Sequence, residues 1–270
     1  MIKTISLGVM VLAVGCASEP APVEAPIARI DLRAALGVPD AAPVGVAVAP
    51  DGTRFVLDEG AGLYRIDGDQ LTSVVSMAQM PTPDQAMQLP ITDIVALAPN
   101  LFAMTAIGDG FVLDTSAMTL TQKFCYLPGG DGGGAPLTIT QRTDAIAYDP
   151  AADKLYAQPL TYDTAGALQY AQVARYDRGT GVDEEWHDAA IATAATGSVY
   201  MPGVGLVLGQ GAQLSRFDLA SNRSIPLDDL TRFGIRSIDG PAVDATTHTL
   251  MVVDNVTDAV FELDLDGVSL

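Results

Sequence analysis

The chain has 270 residues, with 33 acidic side chains against 14 basic ones and a formal net charge of −19. That balance argues against a nucleic-acid binder, which needs a basic face to neutralise phosphates, and against electrostatic docking on an anionic leaflet. Two cysteines exclude a disulfide framework, and 49% apolar content excludes disorder along the whole chain.

The N-terminus opens with Lys3 and an apolar run from Ile5 to Val14. Ten residues are too few to span a bilayer, which takes roughly 20. The run continues into Leu12-Ala13-Val14-Gly15-Cys16. This resembles a bacterial lipoprotein signal, with Ala13 at the usual leucine position and Leu12 one place earlier. The resemblance implies that residues 1–15 are removed and that Cys16 is lipidated as the new N-terminus. An ordinary secretory signal with an incidental cysteine is the simpler alternative. Ala17 to Pro26 reads ASEPAPVEAP, a stiff Pro-rich tether. Ala17 directly after the cysteine resembles lipoproteins sent to the outer membrane. The expected partition is a signal (1–15), a lipidated cysteine and tether (16–26) and a folded body (27–270). The membrane is then a partner through the lipid anchor, and the compartment is the cell envelope.

The body is a repeat. Its unit opens with a short strand of small and β-branched residues that mostly ends in a turn. The openings start at Val44, Asp93, Asp144, Thr196 and Asp239, 43 to 52 residues apart. A second strand follows each: Arg54–Asp58, Leu101–Thr105, Leu155–Gln158, Gly205–Leu208 and Leu250–Asp254. A third carries an aromatic or aliphatic residue shortly before an aspartate, as in Leu63-Tyr64-Arg65-Ile66-Asp67 and Val260-Phe261-Glu262-Leu263-Asp264. A weaker fourth, such as Leu71–Ser76 or Arg223–Leu227, completes most units. Period-two alternation bounded by Asp-Gly turns dominates, with no long amphipathic helix.

Four strands per 40–50 residues predict an all-β propeller of four-stranded blades. The pattern resembles the broad NHL, YVTN and YWTD-type propellers over about residues 27–270. Five openings predict five blades; six blades of about 40 residues are the alternative. Ala28-Arg29-Ile30-Asp31-Leu32 resembles the end of the fourth unit, Ser224 to Leu230. The first strand is therefore expected to complete the last blade and close the ring. Two segments break the period: Cys125 to Gln141, with its Gly129–Gly134 run, and a long hairpin from Leu160 to Gln172 turning at Asp163 to Gly166. Insertions on a regular ring are where function tends to sit.

Little conventional chemistry is legible. Gly129–Gly134 lacks the Lys-Ser/Thr ending of a phosphate loop and carries Asp131 where a cation is wanted. There is no G-x-S-x-G nucleophile elbow. His187, His248 and Cys125 are too few for a zinc centre, and His187 reads as part of a solvated outer strand or loop. Cys125 reads as an inert buried thiol.

Carboxylates form the more informative constellation. Asp93, Asp144 and Asp239 share one repeat position at the entrance of the channel-lining strand, with Val44 and Thr196 in the other units. Second strands end in Asp58-Glu59, Gln158 and Asp254-Asn255, which a propeller places on the same face. Two readings stand side by side. The aspartates cap turns by accepting backbone N–H bonds, or they converge with Asp58, Gln158, Asp254 and Asn255 around the channel mouth to take a ligand or a hard cation, Ca²⁺ or Mg²⁺.

Asp239-Gly240 resembles the Asp-Gly segment of the senescence-marker/gluconolactonase propellers, which hold a divalent metal at the channel mouth with Glu, Asn and Asp. This chain has Pro43-Val44-Gly45 where that family has its first-blade Glu, and Arg142-Thr143-Asp144-Ala145 where it has its Asn. The expectation is thus a lipid-anchored extracytoplasmic propeller that binds a small ligand or envelope protein. The alternatives are a divalent-metal lactonase and a structural envelope subunit.

Overall fold

The computed structural model describes residues 24–81, 91–106, 109–125, 140–163, 165–189 and 195–270. The predicted signal, Cys16 and most of the tether lie outside them, as does the Gly129–Gly134 run.

Strand β1 (Ala28–Asp31) leads into the short helix α1 (Leu32–Leu36). Five antiparallel sheets follow in chain order. Blade 1 is β2 (Pro43–Val48), β3 (Arg54–Asp58), β4 (Gly62–Asp67) and β5 (Gln70–Ser76). Blade 2 is β6 (Ile91–Ala98), β7 (Leu101–Ala106), β8 (Asp109–Asp114) and β9 (Thr119–Cys125). Blade 3 is β10 (Thr140–Asp149), β11 (Lys154–Tyr162), β12 (Leu168–Asp177) and β13 (Asp183–Ala189). Blade 4 is β14 (Gly197–Met201), β15 (Gly205–Gln210), β16 (Gln213–Asp218) and β17 (Arg223–Asp229). Blade 5 is β18 (Ile238–Asp244), β19 (Thr249–Asp254) and β20 (Ala259–Asp264), completed by β1 in the order β1-β20-β19-β18. The first strands β2, β6, β10, β14 and β18 touch in turn and return to β2. This is a five-bladed β-propeller, and the six-blade alternative falls away.

The inner strands of each blade are buried on both faces, so alternate residues of one strand serve different neighbours. Val46 packs into the blade 5–blade 1 layer with Met251, Val253 and Leu32, whereas Ala47 packs into the blade 1–blade 2 layer with Phe102 and Met104. Phe55 and Phe102 meet edge-on across that second interface, with centroids 4.8 Å apart. Burial of such side chains, at about 1.5–3 kcal/mol each, drives the closed ring.

Closure rests on polar contacts too. From blade 1, Arg54 donates to Asp244 (Nε–Oδ2 2.8 Å), Glu262 (Nη1–Oε2 3.0 Å) and Thr247 (2.8 Å) on blade 5. The likeness between residues 28–32 and the end of blade 4 extends to their caps. Asp31 accepts the Ala34 N–H and Asp229 the Thr231 N–H. The following leucines, Leu32 and Leu230, are fully buried, and Gly37 and Gly234 end the turns in the left-handed region.

Four of the five recurring aspartates at the ends of third strands are turn caps, whereas Asp67 pairs with Arg65. Asp114 accepts from Ser116 and Ala117, Asp177 from Thr180, Asp218 from Ala220 and Asp264 from Asp266. His187 lies on outer strand β13 against Asn222 and Glu185.

Candidate ligand-binding mouth of the channel

Strand-one starts and strand-two ends meet on one face, here the entrance face. The seven residues singled out in the sequence divide there into three kinds.

Asp58, Asp254 and Gln158 are turned to backbone. Asp58 accepts from Ala42 (2.7 Å), Gly60 (3.0 Å) and Ala61 (2.8 Å), tying the turn after β3 to the segment that enters β2. Asp254 does the same on blade 5, accepting from Arg236 (3.0 Å), Ser237 (3.3 Å) and Val256 (3.0 Å). Gln158 accepts the Ala195 N–H at 2.5 Å and so links blade 3 to blade 4. All three thus hold backbone N–H groups of neighbouring segments.

Asp93 lies deeper, on the channel axis, with no exposed surface. Its Oδ1 accepts from Ile94 at 2.7 Å; its Oδ2 accepts from Ile146 of blade 3 at 2.8 Å and from Ser198 of blade 4 at 3.4 Å. Blades 1 and 5 approach it with glycines. A methyl group on Gly45 would come within 2.9 Å of Asp93 Oδ1, and one on Gly240 within 2.5 Å. One carboxylate therefore touches all five blades and stops the channel. Burial pushes its carboxyl well above the usual carboxylate range; the three N–H bonds oppose this, and the charge of Asp239 adds to the rise.

Asp144, Asp239 and Asn255 line an open cavity of about 470 Å³ on the entrance face. Val44 and Thr196, the non-acidic residues at the shared repeat position, line it as well. Asn255 donates its side-chain amide to Asp239 Oδ2. The sequence did not single out Thr92 or Asp258, which also line the mouth. Thr92 takes the mouth position that Asp93 vacates, and its hydroxyl bonds Thr105 (2.9 Å) and the Thr143 carbonyl. Asp258 pairs with Arg33 of α1. A count of aspartates after Asp254-Asn255 would have found Asp258; nothing in the spacing marks Thr92.

The register explains why equivalent aspartates diverge. A β-bulge lies just before Asp93 in β6, at Asp144 itself in β10, and just after Asp239 in β18, and β6 carries a second bulge between Ala96 and Ala98. Each bulge re-aims the side chains around it.

A hard cation would need several oxygen ligands that are free to turn toward it. Among the described residues no three acidic, histidine or cysteine side chains are placed to share an ion. Asp93, one of the three candidates, has both oxygens on backbone N–H groups. The described residues do not fit a divalent-metal site, and no step through a metal follows from them. What the mouth offers is acceptor oxygens from several blades around one opening, suited to a cationic or hydrogen-bond-donating group.

No family model matches the chain, and no curated protein matches it. Solved structures similar to it include gluconolactonase- and regucalcin-type propellers. Regucalcin of Agrobacterium tumefaciens, a calcium-binding protein, is 15% identical over 93% of this chain and 96% of that chain, with a TM-score of 0.47. A gluconolactonase of Xanthomonas campestris is 12% identical over 82% and 71%, with a TM-score of 0.45. A chain in the crystal structure of a mitotic checkpoint complex is 10% identical over 98% and 99%, with a TM-score of 0.46. Likenesses at this level carry no argument about activity, and the five-blade assignment rests on this chain's own sheets.

Proposed function

We propose that this chain is a lipid-anchored, extracytoplasmic propeller that binds a small ligand or an envelope protein at its acidic entrance mouth, without covalent chemistry. The observation that carries the reading is the 470 Å³ mouth, into which several blades bring Asp144, Asp239, Asn255 and Thr196. With Asp93 filling the axis below, the mouth is a closed cup and not a pore. A ligand with a positive or hydrogen-bond-donating group suits it, and the net charge of −19 steers such a group inward. The lipoprotein-like Cys16 and its Pro-rich tether support the anchor and the envelope location.

The test is affinity purification of the full chain from detergent-solubilised envelope, comparing wild type with an Asp144→Asn/Asp239→Asn variant. The reading expects a bound partner or small ligand that the variant loses while its melting temperature holds. A variant that only melts lower, with capture unchanged, reduces both aspartates to caps. Calcium or magnesium that raises the wild-type melting temperature, but not the variant's, turns the reading toward the divalent-metal lactonase. A stoichiometric partner retained by the variant favours a structural envelope subunit. For the anchor, labelled palmitate is expected on wild type and lost in Cys16→Ala; label that persists refutes it.

A further inference from the structure

The opposite end of the channel has a different chemistry. Where the first strands leave the ring, it widens into a cavity of about 180 Å³, open on the exit face. Val46, Val95 and Val243 line its wall, with Tyr148 and Tyr200 beside them. Pro50, Pro150 and Pro202 stand at its rim on three blades. Proline has no N–H to present, so this rim offers ring carbons where other residues would offer donors.

The charged and phenolic groups around the cavity are already engaged. Asp244, its one charged lining residue, accepts from Arg54 at 2.8 Å and from the Thr246 amide at 2.9 Å. The Tyr148 hydroxyl donates to Asp153 at 2.8 Å, and the Tyr200 hydroxyl bonds Asp149. Among the described residues no lysine, arginine or histidine lines it. The cavity shares no lining residue with the acidic mouth.

We propose that this exit-face cavity is a second binding site, which takes a small uncharged apolar group: one aromatic ring or a branched aliphatic of similar size. A water molecule needs two to four polar partners to stay, and these walls offer few; a dry apolar cavity of roughly 150 Å³ is large enough for benzene. A charged guest finds no free counter-charge here and would lose its hydration. The site is independent of the acidic mouth in position and in chemistry.

The test uses toluene, benzoate and benzylammonium as probes of the full chain, read by saturation-transfer NMR. Every arm carries the same N-terminus, so toluene partition into detergent or lipid cancels between wild type and variants, and a protein-free blank corrects the comparison between probes. Toluene is expected to bind wild type at least tenfold more tightly than benzoate; benzylammonium, which the acidic mouth suits, is compared in Asp144→Asn/Asp239→Asn and is expected to bind that variant at least tenfold more weakly than toluene does. Val95→Phe on β6 and Val243→Phe on β18 fill the cavity from different blades, and each is expected to weaken toluene at least tenfold. Using two blades guards against one variant that fails to fold; circular dichroism and a cooperative melt identify it. Asp144→Asn/Asp239→Asn is expected to bind toluene as wild type does, so failure here is distinct from failure at the acidic mouth. The proposal is overturned if toluene does not bind wild type, if folded Val95→Phe or Val243→Phe binds it equally well, or if benzoate in wild type or benzylammonium in the Asp144→Asn/Asp239→Asn variant matches it.

Discussion

Replacing Asp93 with asparagine tests whether the buried carboxyl on the axis behaves as its surroundings require. Ile94 and Ile146 donate to separate oxygens of Asp93 at 2.7 and 2.8 Å, with a weaker third bond from Ser198. Asparagine keeps one acceptor oxygen and sets an NH₂ against one of those donors. A buried donor left without an acceptor costs about 1–3 kcal/mol, so the variant starts at that disadvantage in acid. The pH dependence is the sharper readout. Burial raises the folded carboxyl well above its usual range, so between the unfolded value, near 3.9, and the folded one, the native state holds a proton that the unfolded state has released. Stability from this group is therefore complete below the unfolded pKa and is lost as pH rises through the folded pKa, at up to about 1.4 kcal/mol per pH unit. At about 2–4 °C per kcal/mol for a chain of this size, wild type should lose ~3–6 °C per unit relative to Asp93→Asn. Urea or thermal unfolding of both proteins from pH 4 to 8 measures the difference, in which every other titration cancels. A wild-type minus variant difference that stays flat across that range would refute the account.

Other perturbations follow from the same contacts. Arg54→Met should destabilise by about 2–4 kcal/mol, because Asp244, 1% exposed, loses its charged partner; a melting shift under 2 °C would contradict this. Although burial pushes Asp244 up, bonds from Thr246 and Arg54 hold it down at about 2, so its contribution is present above pH ~4 and disappears as pH falls through 2. Asp244→Asn should therefore flatten acid unfolding between pH 4 and 2, as followed by circular dichroism. Gly240→Ala should be strongly destabilising: φ is +41°, and the new methyl group would meet Asp93 Oδ1 and the Gly45 backbone; an unchanged melting temperature would show that the axis is loosely packed. Leu32→Ala, at a fully buried position between β1 and blade 1, should cost about 2–5 kcal/mol by chemical denaturation.

Much of the architecture was legible because a propeller repeats its physics. First strands built from Gly, Ala and Val fit a channel where a Cβ at Gly45 or Gly240 meets a neighbour, and third-strand aspartates recur because the following turn needs an acceptor. The circular completion of blade 5 was legible as well. Asp31-Leu32 and Asp229-Leu230 carry the same cap followed by the same buried leucine, and that pairing marks the end of a blade.

The site was legible only as far as its face. Asp93, Asp144 and Asp239 share a repeat position, and position along a strand does predict which end of the channel a residue is near. Depth is another matter. The axis has room for one carboxylate, and only where two neighbouring blades present glycine. Which aspartate takes that place depends on bulges that shift the register by one residue, and a one-residue shift redirects every side chain beside it. No spacing rule in the chain announces a bulge. The same division separates the carboxylates by surroundings. Asp58 and Asp254 sit at strand ends, where unpaired N–H groups are close, so they become caps. Asp144 and Asp239 sit one layer above the filled axis, where the channel opens and a ligand can reach them. The plug that Asp93 forms is what turns that opening into a cup, and the apolar cavity on the other side shares no lining residue with it.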